Sequence, residues 1–284
     1  MNSKQQWRVD SHHHYWDPSR GDYPWMPDSG PLRKTFLPKH HRALNEHAQI
    51  GLTIAVQAAP TLEETQWLYE QAQDKDSLVV GVVGWIDLEK NDVEAQLDSI
   101  SNPLLVAIRP MIQDITDDFW ILKPNVMRNL KALASAGLTF DLLVRHHQLS
   151  NAFEALSKIP ELTVVIDHLA KPNYTTVDSV WLKNMKNFAS RENTFIKVSG
   201  LATEIVGKWE PKNFIPHVEC AFALFGSDKV MFGTDWPVSL LAANHEETCA
   251  LLDVFTDGLS ESEYRKTWRN NALKAYNIQS EDED

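Results

Sequence analysis

The sequence predicts an α/β fold, a single (β/α)8 TIM barrel. Three observations point there. Short β-branched apolar runs recur eight times along the 284 residues, longer amphipathic segments separate them, and polar or charged residues gather at the carboxyl end of nearly every run. Runs that are apolar nearly throughout are what parallel strands buried on both faces require. Strand–helix alternation of this kind has two common solutions, an open doubly wound sheet or a closed barrel. The open sheet usually brings a glycine-rich phosphate turn after its first strand. Here that turn reads His-His-His-Tyr-Trp, which favours the barrel. The length is ordinary for one such domain, read here as 1–284 with a core of about 9–276.

The expected strands are 7–10, 52–58, 78–86, 104–108, 138–144, 162–166, 194–198 and 229–232. Between them, Thr61 followed by Glu64 forms a capping-box pattern that opens a helix through about Gln73. Pro124 suits a first helical turn, and Gly137 ends that helix before the next strand. Further helices are expected at 211–225, closed by Gly226, at 244–255 and at 261–276. The insert 15–37, rich in Pro, Gly and Trp, is a loop above the first strand, either covering a pocket or packed as scaffold. The acidic tail 280–284 reads as a solvated end.

Composition excludes several functions. A hydrophobic content of 43% rules out a disordered chain. The formal net charge of −12, from 39 acidic and 27 basic residues, repels nucleic acid and anionic membrane surfaces, so neither is expected as a partner. The sequence shows no secretory h-region and no apolar run long enough to span a bilayer. Two cysteines, Cys220 and Cys249, make no disulfide framework and read as reduced thiols in a cytoplasmic protein. A homo-oligomer is compatible with all of this.

In such a barrel the working residues lie at the carboxyl ends of the strands. The first strand ends in Asp10-Ser11-His12-His13-His14. Residues two apart on a strand share a face, so His12 and His14 face together and His13 faces away. Such a pair is half of a transition-metal site, zinc above all. By itself a three-histidine run could equally be a surface tract. The other strand ends strengthen it: Gln57, Trp85, Arg109, His168 and Lys171, Lys197 and Ser199, and Asp235 with Trp236. One such residue is usually a satisfied core group; several at one end of one barrel are better explained by a site. His146 and His147 follow the fifth strand and are expected at the surface, and His40, His41 and His217 are expected to be solvated on helices.

Four blocks carry a specific resemblance. They are 9–18 (Val-Asp-Ser-His-His-His-Tyr-Trp-Asp-Pro), 82–88 (Val-Val-Gly-Trp-Ile-Asp-Leu), 165–172 (Val-Ile-Asp-His-Leu-Ala-Lys-Pro) and 232–237 (Phe-Gly-Thr-Asp-Trp-Pro). In this order the chain resembles the amidohydrolase superfamily, in its lactonase-type amidohydrolase 2 branch, over about Val9 to Tyr276. That branch includes lactonases for L-fuconolactone and L-rhamnonolactone, 4-sulfomuconolactone hydrolase and 2-pyrone-4,6-dicarboxylate lactonase. The resemblance implies a metal set of His12, His14, His168 and Asp235. Many members carry a lysine or glutamate on strand four that bridges two metals. Arg109 stands there instead and cannot ligate, so at most one divalent ion is expected, zinc before others; some members of the branch work without one.

The implied reaction is hydrolysis of a lactone, an internal ester, of a small sugar acid. Asp235 is the expected general base, with His168 and Arg109 completing the catalytic set and Arg109 facing a carboxylate, hydroxyl or oxyanion on the substrate. Gln57, Trp85, Lys171, Lys197 and Trp236 are the expected substrate contacts, each with a plain scaffold alternative. Ten tryptophans, among them Trp16, Trp25, Trp85 and Trp236 near loop tops, suit a sugar or an aromatic ring. Few basic residues at the strand ends favour a neutral sugar lactone over a dicarboxylate. A metal-dependent decarboxylase on the same fold, an amide or imide hydrolase, and a non-catalytic metabolite-binding barrel stay open as alternatives.

Overall fold

In the computed structural model, which describes residues 7–279, every expected strand is present. They are β1 (Arg8–His13), β2 (Ile50–Val56), β3 (Val79–Gly84), β4 (Leu105–Ile108), β5 (Thr139–Leu142), β6 (Val164–Ile166), β7 (Thr194–Val198) and β8 (Val230–Phe232). All neighbours pair in parallel in sequence order. The ends of this sheet meet: His14 N donates to Trp236 O at 2.7 Å, Asp235 N to His12 O at 2.8 Å, and Ser11 Oγ to Phe232 O at 2.7 Å. Asp10 reinforces that seam by accepting from the backbone and hydroxyl of Thr234 at 2.8 and 2.6 Å.

The helices are α1 (Pro38–His47), α2 (Leu62–Ala72), α3 (Val93–Ser99), α4 (Pro124–Ser135), α5 (Leu149–Leu156), α6 (Ser179–Ala189), α7 (Ile215–Phe225), α8 (His245–Val254), α9 (Glu261–Arg265) and α10 (Asn271–Ala275). Thr61 caps α2 by accepting from Glu64 N at 3.1 Å, and Pro124 opens α4. The main core lies between strands and helices, around Phe140, Ile166, Ile196, Phe232 and Trp181, all fully buried. Burying each such side chain contributes roughly 1.5–3 kcal/mol.

Three expectations need correction. β1 runs to His13 rather than Asp10, because its polar residues continue the strand at the barrel mouth. The last expected helix is broken between α9 and α10 by a π-helical turn over Lys266–Asn270, which seats Trp268 in the core. His41 and His217 are not solvated: both are buried on the inward faces of α1 and α7, His41 against Trp236 and His217 against Trp181. The acidic tail lies outside the described residues.

The 15–37 insert is a packed loop. Trp16 and Phe36 exchange backbone hydrogen bonds at 3.0 and 2.9 Å, and Trp25 packs edge to face with Trp16 and Tyr23, as Phe36 does with Trp16. Trp25 Nε1 donates to Ala58 O at 2.6 Å, pinning the loop over the end of β2.

Candidate active site

The carboxyl end of β1 delivers His12 and His14 to Asp235, which follows β8. Asp235 Oδ1 lies 3.7 Å from His12 Nε2 and 3.4 Å from His14 Nε2. His168, just after β6, packs its ring 4.5 Å from that of His12, centre to centre. All four side chains are nearly or fully buried. His13 turns the other way, against Tyr15 and His41, as the two-residue strand period requires.

The backbone is bent to achieve this. His168, Leu169, Ala170 and Lys171 all take the left-handed conformation, with φ of 53°, 54°, 57° and 50°, and Asp235 has φ 55°. For residues with a Cβ that conformation costs roughly 1–2 kcal/mol each, and such strain concentrates at functional sites. Two glycines make the room. A Cβ at Gly200 would lie 2.7 Å from His168 Nδ1 and 3.0 Å from Asp235 Oδ2; one at Gly233 would lie 2.6 Å from His12 Cβ.

Beneath His12 lies a buried ionic network. Lys197 Nζ is 2.6 Å from Asp141 Oδ2, 2.9 Å from Asp167 Oδ1 and 3.1 Å from His12 Nδ1. Asp167 also faces His12 Nδ1 at 3.3 Å and Arg109 Nη1 at 3.4 Å. Burial pushes the Asp167 carboxyl up, but Lys197 and then His12 outweigh it and hold it well below the usual range. Burial pushes Asp141 up to about 6 against the pull of Lys197. Burial lowers His12, helped by Lys197, and lowers His168 to about 4, so both rings are neutral at pH 7. At Asp235, burial is overcome by His168, His14 and His12, which keep it ionised.

The donor set fits one metal ion. Ligand atoms of His12, His168 and Asp235 lie within 4.8 Å of one another, so modest side-chain movements would bring them round one ion with bonds of about 2 Å. His14 Nδ1 is 2.7 Å from the carbonyl of Val56. A carbonyl only accepts, so Nδ1 carries a hydrogen, and Nε2 is the nitrogen that faces the Asp235 carboxylate. An ion placed between them would take one ligand atom from each. Ser199 Oγ, 2.8 Å from His168 Nδ1, supplies an outer hydrogen bond of the kind that orients a metal-ligating imidazole, and the Asp167 carboxylate lies 3.3 Å from His12 Nδ1.

Arg109 is 2% exposed, 3.5 Å from His12 Nε2, with Nη2 donating to Gln57 O. Gln57 Nε2 donates to Arg109 O at 2.8 Å. Two buried polar atoms of this pair have no protein partner, the donor Arg109 Nε and the acceptor Gln57 Oε1. Trp85 lines a cavity beside the centre. Three expected substrate contacts stand elsewhere. Lys197 is wholly enclosed below His12 and reaches a substrate only through that ring. The Trp236 indole is 2% exposed and stacked flat on His41, centroids 4.2 Å apart, behind β1. Lys171 is paired with Glu204 at 2.9 Å. His146 is half-buried, its Nδ1 3.1 Å from Lys171 O, and His147 is exposed.

Asp141 escaped the sequence reading. Its only signal is a carboxylate in the middle of an apolar strand, Thr-Phe-Asp-Leu. Gly200 and Gly233 carried no signal short of the packing.

A parallel eight-stranded barrel with three imidazoles and a carboxylate at its carboxyl-end mouth defines a class of barrel enzymes. Residues 9–278 match the amidohydrolase family, and the chain belongs to it. It is 34% identical over 240 residues to an L-fucono-1,5-lactonase of Burkholderia ambifaria, covering 84% of this chain and 82% of that one. It is 30% identical to an L-fucono-1,5-lactonase of Burkholderia multivorans, over 95% of both. A crystal structure of an amidohydrolase from Burkholderia multivorans with zinc bound superposes with a TM-score of 0.89 at 29% identity, covering 96% of this chain and 99% of that one.

Proposed function

We propose that this protein is a sugar lactonase, hydrolysing the internal ester of an aldonolactone of the L-fucono-1,5-lactone type. The observation that carries the reading is Asp235, an ionised buried carboxylate facing both inward histidines of β1, in a chain that matches L-fucono-1,5-lactonases over most of its length. His12, His14, His168 and Asp235 would hold a single divalent ion, zinc by the nitrogen-rich donor set; Arg109 at the end of β4 offers no second set of ligands. When bound, such an ion supplies Lewis-acid polarisation of the ester carbonyl and acidifies the attacking water.

The chain's own residues do the rest. Asp235 accepts the proton of the water as its oxygen adds to the ester carbon. Arg109, through its unpartnered Nε and its charge, stabilises the oxygen on which negative charge develops. Gln57, by donating Nε2 to Arg109 O, holds that strand end in position. The bond between the carbonyl carbon and the ring oxygen breaks, the ring oxygen takes the proton, and an open hydroxy acid leaves.

The test is a pH-indicator assay with L-fucono-1,5-lactone, run alongside metal analysis. Asp235→Asn is expected to cut turnover by at least a thousandfold while the far-UV spectrum stays that of the wild type. Near-wild-type activity in the variant would remove Asp235 from its role. Release of CO2 in place of ring opening would move the enzyme to the decarboxylases.

A further inference from the structure

Beside the reactive centre lies a cavity of about 500 Å³ that the chemistry above does not use. Its size is that of a small-molecule site. The loops after β1, β2, β3 and β4 build it, so it sits on the same face of the barrel as the histidines. Pro110 is in its wall, one residue on from Arg109, whose guanidinium reaches His12. The wall combines two kinds of surface. Trp25, Trp85 and Trp120 bring aromatic area, and Asp87, Glu89 and Asp114 bring carboxylates; among the described residues no lysine, arginine or histidine lines it.

The aromatic part is fixed in advance. Trp25 is held by its hydrogen bond to Ala58 O at 2.6 Å and by edge contact with Trp16 at 5.3 Å. Trp120 is 5% exposed. Trp85 follows directly on β3, its backbone N donating to Thr65 Oγ1 at 3.0 Å. Of the carboxylates, Glu89 is paired with Lys123 at 2.9 Å. Among the described residues no cation pairs with Asp87 or Asp114: Asp87 accepts from Glu89 N at 2.9 Å, and Asp114 from Gln113 Nε2 at 3.3 Å. Flat aromatic faces suit the C–H face of a sugar, and carboxylates, which only accept, suit its hydroxyls. The same carboxylates repel an anion, and the wall offers nothing to offset that repulsion.

We infer that this cavity is the specificity subsite of the enzyme: it takes the polyhydroxy part of an uncharged lactone and turns away lactones that carry carboxylates. The inference rests on the lactonase reading and adds to it the residues that select the substrate, Trp85, Trp25, Asp87 and Asp114. They lie away from the reacting atoms and act on binding.

The test compares L-fucono-1,5-lactone with 2-pyrone-4,6-dicarboxylate, by turnover and by calorimetric titration, in the wild type, Trp85→Ala and Asp114→Lys. The wild type is expected to favour the neutral lactone in kcat/KM by at least a hundredfold. Trp85→Ala raises KM for the neutral lactone at least tenfold, the pattern of lost uniform binding. Asp114→Lys, an exposed position that the fold tolerates, moves the ratio at least tenfold toward the dicarboxylate. A ratio and a KM that stay put in both variants would overturn the subsite while leaving the lactonase intact. If the wild type opens neither lactone, the lactonase reading fails. Calorimetry then decides the subsite: binding of the neutral lactone that weakens tenfold in Trp85→Ala upholds it, and equal binding overturns it.

Discussion

At the scale of residues, Lys197 shows how a polar side chain at a strand end serves the site without touching a substrate. It is fully enclosed, and Asp141, Asp167 and the His12 ring surround its Nζ. Through Asp167 it steadies the imidazole that faces Asp235. Removing one partner of a buried ionic cluster leaves uncompensated charge and costs roughly 3–5 kcal/mol. Lys197→Met is therefore expected to lose about that much in urea unfolding, with the two aspartates stranded; a loss below about 1 kcal/mol would mean that the cluster contributes little to stability. Tyr276, whose hydroxyl donates to Asp141 Oδ2 at 2.8 Å, ties the same cluster to the end of α10.

At the scale of elements, the start of α2 couples stability to pH. Glu64 accepts from the Ala58 amide at 2.9 Å and from the Ala59 amide, which closes the turn after β2. Burial nevertheless pushes its carboxyl up from 4.5 to about 8, against those hydrogen bonds. The folded state thus holds this proton more tightly than the unfolded chain. Its contribution to stability is full below pH 4.5 and is lost as the pH rises through about 8. Glu64→Gln keeps an acceptor for the two amides and removes the titration. The unfolding free energy of the wild type, from urea titrations, is expected to decline relative to the variant between pH 5 and pH 8, by up to about 1.4 kcal/mol per pH unit. Parallel profiles would show that Glu64 is ionised throughout.

At the scale of the whole molecule, the seam between β8 and β1 is backed by a second group of histidines. His41 stacks on Trp236 and meets His245 edge to face at 5.4 Å, and both rings are buried. Burial lowers His245 to about 4 and His41 further, each aggravated by a neighbouring histidine. The unfolded chain takes up these protons first, near 6.5. The stability that the neutral rings contribute is therefore present above that pH and is lost as the pH falls through the folded values. Acid unfolding followed by circular dichroism is expected to begin below pH 6.5 and to be shallower in His41→Phe, which keeps the stacked ring. Superimposable curves would show that His41 does not drive the transition.

Periodicity by itself determined an α/β chain with parallel strands, because strands buried on both faces must be apolar nearly throughout and eight such runs are countable in one chain; the histidine turn in place of a glycine-rich one then favoured the closed barrel over the open sheet. Strand spacing also determined that His12 and His14 share a face and that His13 does not. Tertiary structure decided what each polar strand end does. Arg109 and Lys197 read alike along the chain, yet one borders the centre and the other is sealed beneath it, since depth in the barrel depends on shear and register between strands. Trp85 and Trp236 read alike too; one lines a cavity and the other stacks on a helix behind the sheet. His41 and His217 looked like solvated helix residues because a lone histidine carries no sign of the face it takes. Asp141, Gly200 and Gly233 acquire meaning only from the side chains that β7, β6 and β1 bring against them.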